Sequence, residues 1–259
     1  MEQVSRALNI GPKDIVVLVG GGGKTTIISR LNQELLSLGF KIVITTTAMM
    51  YPPLNNHAGL VIIDKATDWQ RDLIRVSNLS KYVYVGKGVS PEGKLTGLST
   101  LEVQQMWELN CADILLIEGD GARGRAFKAP RMHEPVIPGI ATIVVPVIGI
   151  DCIGKPLSEE FFHVPGQVSA LTGICLGAPV TESDIARVLM HPGGYRKGLP
   201  PNARWVPFIN KVESRADEIK ALDLARMLID GGTEQVLIGA AGHKDPVRFV
   251  CPDDLKEVF

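Results

Sequence analysis

Apolar positions along this chain follow two periods, and their alternation predicts its architecture. "DIVVLV" (Asp14–Val19), "KIVITTT" (Lys41–Thr47) and "DILLIEGDG" (Asp113–Gly121) carry short, nearly unbroken apolar runs rich in β-branched residues, the pattern of strands buried on both faces. "GLVIID" (Gly59–Asp64), "YVYVG" (Tyr82–Gly86), "ATIVVPVIGI" (Ala141–Ile150), "RWVPFINK" (Arg204–Lys211) and "EQVLIGA" (Glu234–Ala240) also read as strands, Glu234–Ala240 as a last buried one. Pro146 predicts a bend, an edge or an early stop in its strand, because proline donates nothing to a ladder. Between the strands, apolar residues recur at helical spacing. Ile27, Ile28, Leu31, Leu35 and Leu38 share one face, and Gly39 stands where a C-cap belongs. Further helices are expected over 68–77, 100–109, 165–173, 181–190 and 215–228. The helix at 181 opens with "TESD", a capping-box variant that uses Asp184. "PEGKLTG" (Pro91–Gly97) predicts a turn and "LMHPGGYRKGLPP" (Leu189–Pro201) a surface loop.

Strands and helices alternate with no internal repeat and no linker. That predicts one α/β domain over 1–259, a doubly wound, mostly parallel sheet in a P-loop NTPase-like three-layer sandwich.

Composition narrows the function classes. Apolar residues make up 45% of 259 and charged residues 21%, a globular balance. The 27 basic and 28 acidic residues nearly cancel, so neither a nucleic-acid footprint nor a polybasic membrane surface is indicated. Cys111, Cys152, Cys175 and Cys251 lie far apart among apolar or small neighbours, which predicts buried thiols in a reducing compartment. No signal-peptide core and no apolar run of roughly 18 residues is present, so a cytoplasmic, soluble protein is expected.

The candidate chemistry starts where the first strand meets the first long helix. "GGGGKTT" sets Gly20, Gly21, Gly22 and Gly23 before Lys24, Thr25 and Thr26. Main-chain amides can surround an anion only where no Cβ obstructs the approach, and the following helix N-terminus adds its dipole. Lys24 then supplies a cation for terminal phosphates and Thr25 a hydroxyl for Mg²⁺. The first glycine of the general GxxxxGK[ST] pattern is replaced by Leu18, and the shorter GxxGKTT form looks like the loop of Mur-type ATP-dependent ligases.

A metal-nucleotide site also needs a carboxylate facing that loop. "IEGDG" offers Glu118 and Asp120, one expected at Mg²⁺ and the other orienting a nucleophile, with the assignment open. Thr46, within "TTT" (Thr45–Thr47), is a further metal candidate. Downstream, Lys128 is expected to act in catalysis, and Arg123, Arg125, Arg131 and His133 to hold phosphate or an anionic substrate. Pro130, Pro135 and Pro138 would fix that loop's path. "FINKVE" resembles the NKxD guanine-specificity motif of GTPases, making Asn210, Lys211 and Glu213 base-recognition candidates, with glutamate where aspartate is expected. ATP and GTP both stay open. His57, His163, His191 and His243 lack metal-ligand spacing and read as structural or surface residues.

Together "VGGGGKTT", "ITTTAMMYPP", "IEGDGARGRAFKAP", "HEPVIP", "VIGIDCIGKPL" and "FINKVE" resemble the YqeC family, from about residue 20 to 240. The resemblance implies a cytoplasmic P-loop maturation factor for selenium-dependent molybdenum hydroxylases or for selenium cofactor biosynthesis. Its client would be such a hydroxylase or a cofactor-assembly protein. Where relatives are expected to carry "VHRP", this chain has "FHVPG", which puts Val164 in place of an arginine. Three functions compete: an NTP-hydrolysing maturation factor, an ATP-dependent kinase or ligase acting on a small anion, and a non-catalytic nucleotide sensor.

Overall fold

The computed structural model describes residues 3–52, 58–63 and 67–255. His57, Pro53 of the quoted "MYPP" and the end of the expected Gly59–Asp64 strand lie outside the described residues. Along the chain, α1 (Val4–Ala7) precedes β1 (Ile15–Gly20), α2 (Lys24–Ser37) and β2 (Ile42–Thr46). Next come β3 (Met49–Met50), β4 (Gly59–Ile62), α3 (Trp69–Leu79), β5 (Tyr82–Gly86), β6 (Gly88–Val89), β7 (Leu95–Thr96) and α4 (Thr100–Glu108). The middle carries β8 (Ile114–Glu118), β9 (Phe127–Lys128), β10 (Ile143–Gly149), β11 (Phe162–His163), α5 (Pro165–Thr172) and α6 (Glu182–Met190). β12 (Arg204–Trp205), β13 (Phe208–Asn210), α7 (Arg215–Asp230), β14 (Val236–Gly239) and β15 (Val247–Cys251) complete it.

The apolar runs do become strands buried on both faces. Val16 and Leu18 of β1 pack with Ile27, Ile28, Leu31 and Leu35 of α2, while Val17 and Val19 join the core formed with α3, α4, α6 and α7. Successive side chains point to opposite faces, so an unbroken apolar run needs a helical layer on each side. The result is a three-layer α/β sandwich. Its main sheet runs β15-β14-β13-β10-β1-β8-β2-β5-β4, with β12 beside β10. All its pairs are parallel except β14 with β15. β1 and β2 are parallel as expected, but β8 lies between them. Strands up to β8 extend the sheet on one side of β1 and later ones on the other, so the order reverses at β1. In open α/β sheets the crevice at such a reversal, beyond the carboxyl ends of the strands, is where ligands bind.

Several expectations need correction. Pro146 neither bends nor ends β10: it sits inside a central strand, opposite Val19 of β1. On its other side the neighbouring chain pairs at Trp205 and again at Phe208, and is interrupted at Val206 and Pro207. Val206 still donates to Val144 O, and the missing N–H of Pro146 falls at the lapse in regular pairing before Phe208. The same interruption splits the expected Arg204–Lys211 strand in two. β14 is buried throughout, and beyond it β15, for which the sequence pattern gave no expectation, adds a partly exposed antiparallel edge. Cys152 and Cys251 are buried and Cys111 partly so, but Cys175 is exposed; all four are free thiols. The expected capping box is present, with Thr181 and Asp184 bonding reciprocally at the start of α6. The loop after α6 is not wholly superficial, since Tyr195 is fully buried.

Candidate nucleotide site

β1 ends at Gly20 and α2 begins four residues later. Gly22 has φ +76°, and a Cβ there would stand 2.1 Å from the Gly149 nitrogen. Gly23, at φ +119°, is the N-cap of α2, and a Cβ would meet the Asn210 amide nitrogen at 2.6 Å. Only glycine fits this path, because L-residues rarely adopt such φ values and the backbone of β10 is in contact.

The amides of the loop divide into two groups. Gly20 donates to both oxygens of Asp120 at 2.9 and 3.1 Å, Gly21 to Val147 O at 3.0 Å, and Gly22 to Arg125 O at 2.9 Å. These three lock the loop to β8, β10 and the following segment. No side chain caps α2, in contrast to α3, α4, α6 and α7. The first-turn amides of α2, from Lys24 through Thr26, therefore point outward with the positive end of the helix dipole. Thr25 and Thr26 are exposed beside them and border a groove of about 500 Å³ that also includes Arg30, Tyr51 and Gly242.

Charged groups concentrate beneath this turn. Lys24 is 5% exposed, donates to Gly20 O, and lies 3.1 Å from Asp120 Oδ1 and 3.9 Å from Glu118 Oε1. Glu118 ends β8, and its Oε2 is 3.4 Å from the Thr25 hydroxyl. Burial raises the Glu118 pKa, against the pull of Lys24 and with the push of Asp120. Lys128, on β9, is fully buried; its Nζ donates to Gly121 O at 2.9 Å and Glu134 Oε2 at 2.7 Å, and lies 3.4 Å from Asp120 Oδ2. Burial works to raise the Glu134 pKa, but the hydrogen bonds from Lys128 and the Arg131 amide outweigh it and hold the pKa low.

The remaining sequence candidates separate. Thr46 is fully buried, donates to Glu118 O at 2.8 Å and accepts from Ala48 N, so its hydroxyl is committed to the backbone. Thr45 and Thr47 likewise donate to Val85 O and Val136 O. Arg123, Arg125, Arg131 and His133 are exposed. His163, opposite Lys128 in the β9–β11 pair, has a pKa lowered by burial and by Lys128, Arg131 and Arg123, which places those cations around it. Asn210 is buried and uses both ends of its amide: Nδ2 donates to Gly22 O at 2.8 Å, and Oδ1 accepts from Ala241 N at 2.9 Å. Lys211, at φ +65°, pairs with Asp151 at 2.8 Å. Glu213 is exposed, 3.5 Å from His243.

Two participants escaped the sequence reading. The Ala240–His243 turn joins the site through Asn210 and through Arg30, which donates to Ala241 O and His243 O. Tyr195 donates its hydroxyl to Lys128 O at 3.0 Å and pins β9 from behind. The small residues of the turn gave no signal. Tyr195 was the one aromatic in an otherwise polar, glycine-rich stretch, a cue to burial.

Among the described residues no helix is long and apolar enough to cross a membrane. A solved GTPase in apo form from Pyrococcus abyssi is similar at 15% identity and a TM-score of 0.41, covering 95% of this chain and 96% of that one. The "Uncharacterized protein YqeC" of Escherichia coli (strain K12) is 30% identical over 225 residues, 87% of this chain and 86% of that protein. The model of the YqeC protein family matches residues 16–166, a span that holds the glycine loop, both carboxylates and the Lys128 segment. By that match and that relative, the chain belongs to the YqeC family.

Proposed function

We propose that this protein binds a nucleoside triphosphate, ATP or GTP, with Mg²⁺ and hydrolyses it, and that turnover serves maturation of a selenium-dependent molybdenum hydroxylase or its cofactor. The observation that carries the nucleotide reading is the position of Lys24. It is the first residue of an uncapped helix at the reversal point of the sheet, and it is held on a carboxylate and a loop carbonyl. A lysine so placed can exchange those partners for phosphate oxygens while the first-turn amides of α2 bind the same anion.

The donor set suits Mg²⁺, which favours oxygen ligands and is usually held by one or two carboxylates, a hydroxyl and substrate phosphates. Thr25 and Glu118 would hold it. Asp120 is less suited, being already engaged by Gly20 N, Lys24 and Lys128. Bound there, the ion would supply charge neutralisation on the β and γ phosphates. Lys24 neutralises the same charge from the protein side, and Glu118 orients the groups near it. Asn210, Lys211, Glu213 and the Ala240–His243 turn border the space expected for the base. The maturation role rests on the family resemblance alone.

A second reading, an ATP-dependent kinase or ligase for a small anionic substrate, is favoured by the exposed Arg123, Arg125 and Arg131 beside the buried charges. Native mass spectrometry with ATP, GTP and Mg²⁺, followed by product analysis, tests both. A one-to-one triphosphate complex that converts to diphosphate and free phosphate supports hydrolysis. Phosphoryl or nucleotidyl adducts on an added small acid support transfer. Binding of neither triphosphate overturns the nucleotide reading.

A further inference from the structure

Asp120 is a fully buried carboxylate with a separate lysine at each oxygen. Oδ1 lies 3.1 Å from Lys24 and Oδ2 lies 3.4 Å from Lys128, while the Gly20 amide donates to both. Lys128 also pairs with Glu134 at 2.7 Å, so its contact with Asp120 is a second one, made to a carboxylate that Lys24 already faces. Fully buried lysines are rare and are tolerated only when paired and hydrogen-bonded.

The two lysines differ in placement. Lys24 sits at the mouth of the site and is turned back along the glycine loop to Gly20 O. Lys128 has no exposed surface; its Nζ donates to Gly121 O and Glu134 Oε2 and forms an ion pair with Asp120 Oδ2 at 3.4 Å. Its strand is fixed by pairing with β11 and by the Tyr195 hydroxyl. Lys24 adjoins the exposed Thr25 and Thr26 of the first turn of α2, whereas Lys128 is enclosed on every side.

Reaching phosphate obliges Lys24 to leave Asp120. An ionised carboxylate with no cation in a dry site is strongly destabilising, so a lone Lys24–Asp120 pair would resist opening. We propose that Lys128 is a positioning residue that serves as the standing counter-ion of Asp120, which frees Lys24 to exchange its carboxylate for the nucleotide. This rests on the nucleotide reading above and gives Lys128 a role without contact to substrate. Asp120 in turn stays paired and bonded to the Gly20 amide, so the loop keeps its shape through the exchange.

The test is a double-substitution cycle read as triphosphate affinity, using ATP and GTP in EDTA so that no metal role of Asp120 enters. Lys128→Met is expected to weaken binding by at least about tenfold, because Lys24 becomes the sole counter-ion. In an Asp120→Asn background the same substitution is expected to change affinity by less than about threefold, since position 120 then carries no charge for either lysine to balance. A general packing defect would weaken binding equally in both backgrounds, and that result, or an unchanged affinity in Lys128→Met, overturns the inference. If Lys128→Met does not fold, Lys128→Met/Glu134→Gln removes the cation together with its second carboxylate, and the same comparison applies. Wild-type protein that binds neither triphosphate defeats the nucleotide reading and this inference together. Tight wild-type binding lost in Lys24→Ala, with equal effects of Lys128→Met in the two backgrounds, defeats this inference alone.

Discussion

The two ends of the central sheet carry the same kinds of charged residue in opposite settings. At the amino ends, Lys13, Lys41, Asn110 and Asp113 border a cavity of about 440 Å³. There Lys13 reaches Asn110 Oδ1 at 3.1 Å and the Lys41 amide reaches Asp113 Oδ2 at 2.8 Å, both in exposed contacts. At the carboxyl ends, the side chains of Lys24, Glu118, Asp120 and Lys128 are each no more than 9% exposed. Exposed pairs are screened and contribute little, whereas buried charges demand partners and are seldom the cheapest way to stabilise a fold. A stable sandwich could fill that space with apolar side chains. Its four buried ionisable groups, two lysines and two carboxylates, mark the carboxyl end as the candidate functional end of the sheet.

That contrast can be tested from its strongest consequence downward. Lys24→Ala should reduce triphosphate turnover by about 10³-fold or more, the scale of losing a cation at a transferring phosphoryl group, with the circular-dichroism spectrum unchanged. Normal turnover in that variant would make the carboxyl end as ordinary as the amino end. Gly22→Ala forces a Cβ against the Gly149 backbone at a left-handed φ, and should lower unfolding free energy by about 2–3 kcal/mol in urea titrations. Wild-type stability there would mean that the loop is not held as described.

The two glutamates should respond to substitution with opposite signs. Glu134 is held below the ordinary carboxylate value against its burial, chiefly by Lys128, so it stabilises the fold above that value and the gain vanishes on acidification through its lowered pKa. Glu134→Gln should therefore lose about 2 kcal/mol at neutral pH and little in strong acid. Glu118 is raised by burial, so its ionised form costs stability, increasingly as pH climbs from the ordinary carboxylate value through its raised pKa. Glu118→Gln should raise the melting temperature of metal-free protein at neutral pH and leave it unchanged in acid. Thermal melts across pH measure both, and a shared sign would refute the electrostatic picture. At the opposite end, Lys13→Ala and Lys41→Ala should each change stability by less than about 0.5 kcal/mol.

Local pattern carried much of this reading and stopped at definite places. The strand, glycine loop and helix around Lys24 were legible because each has its own periodicity and punctuation within a few residues. The same holds for the Thr181 capping box. Pro146 misled because its tolerance depends on a gap at Val206 and Pro207, some sixty residues away in a different strand. β15 was missed because an edge strand with Arg248 exposed shows neither an unbroken apolar run nor clean alternation. Lys128 read as a catalytic cation because its neighbours in sequence are basic, and nothing local says that the distant Tyr195 holds its strand from behind. Gly20 meets Asp120 across 100 residues and Gly22 meets Asn210 across 188, separations that periodicity does not encode.

The Asn210 side chain has a bearing on where this protein could be cut. One carboxamide splices the loop before α2 to the turn after β14, and β13 covers the outer flank of β10. A fragment trimmed at residue 166, where the family match ends, would keep Lys24, Glu118, Asp120, Lys128 and Glu134 yet leave β10 a bare edge and the Gly22 carbonyl without its clasp. Expressed apart, the two pieces are better regarded as halves of a split protein than as modules, and their reassociation would report directly on the integrity of that splice.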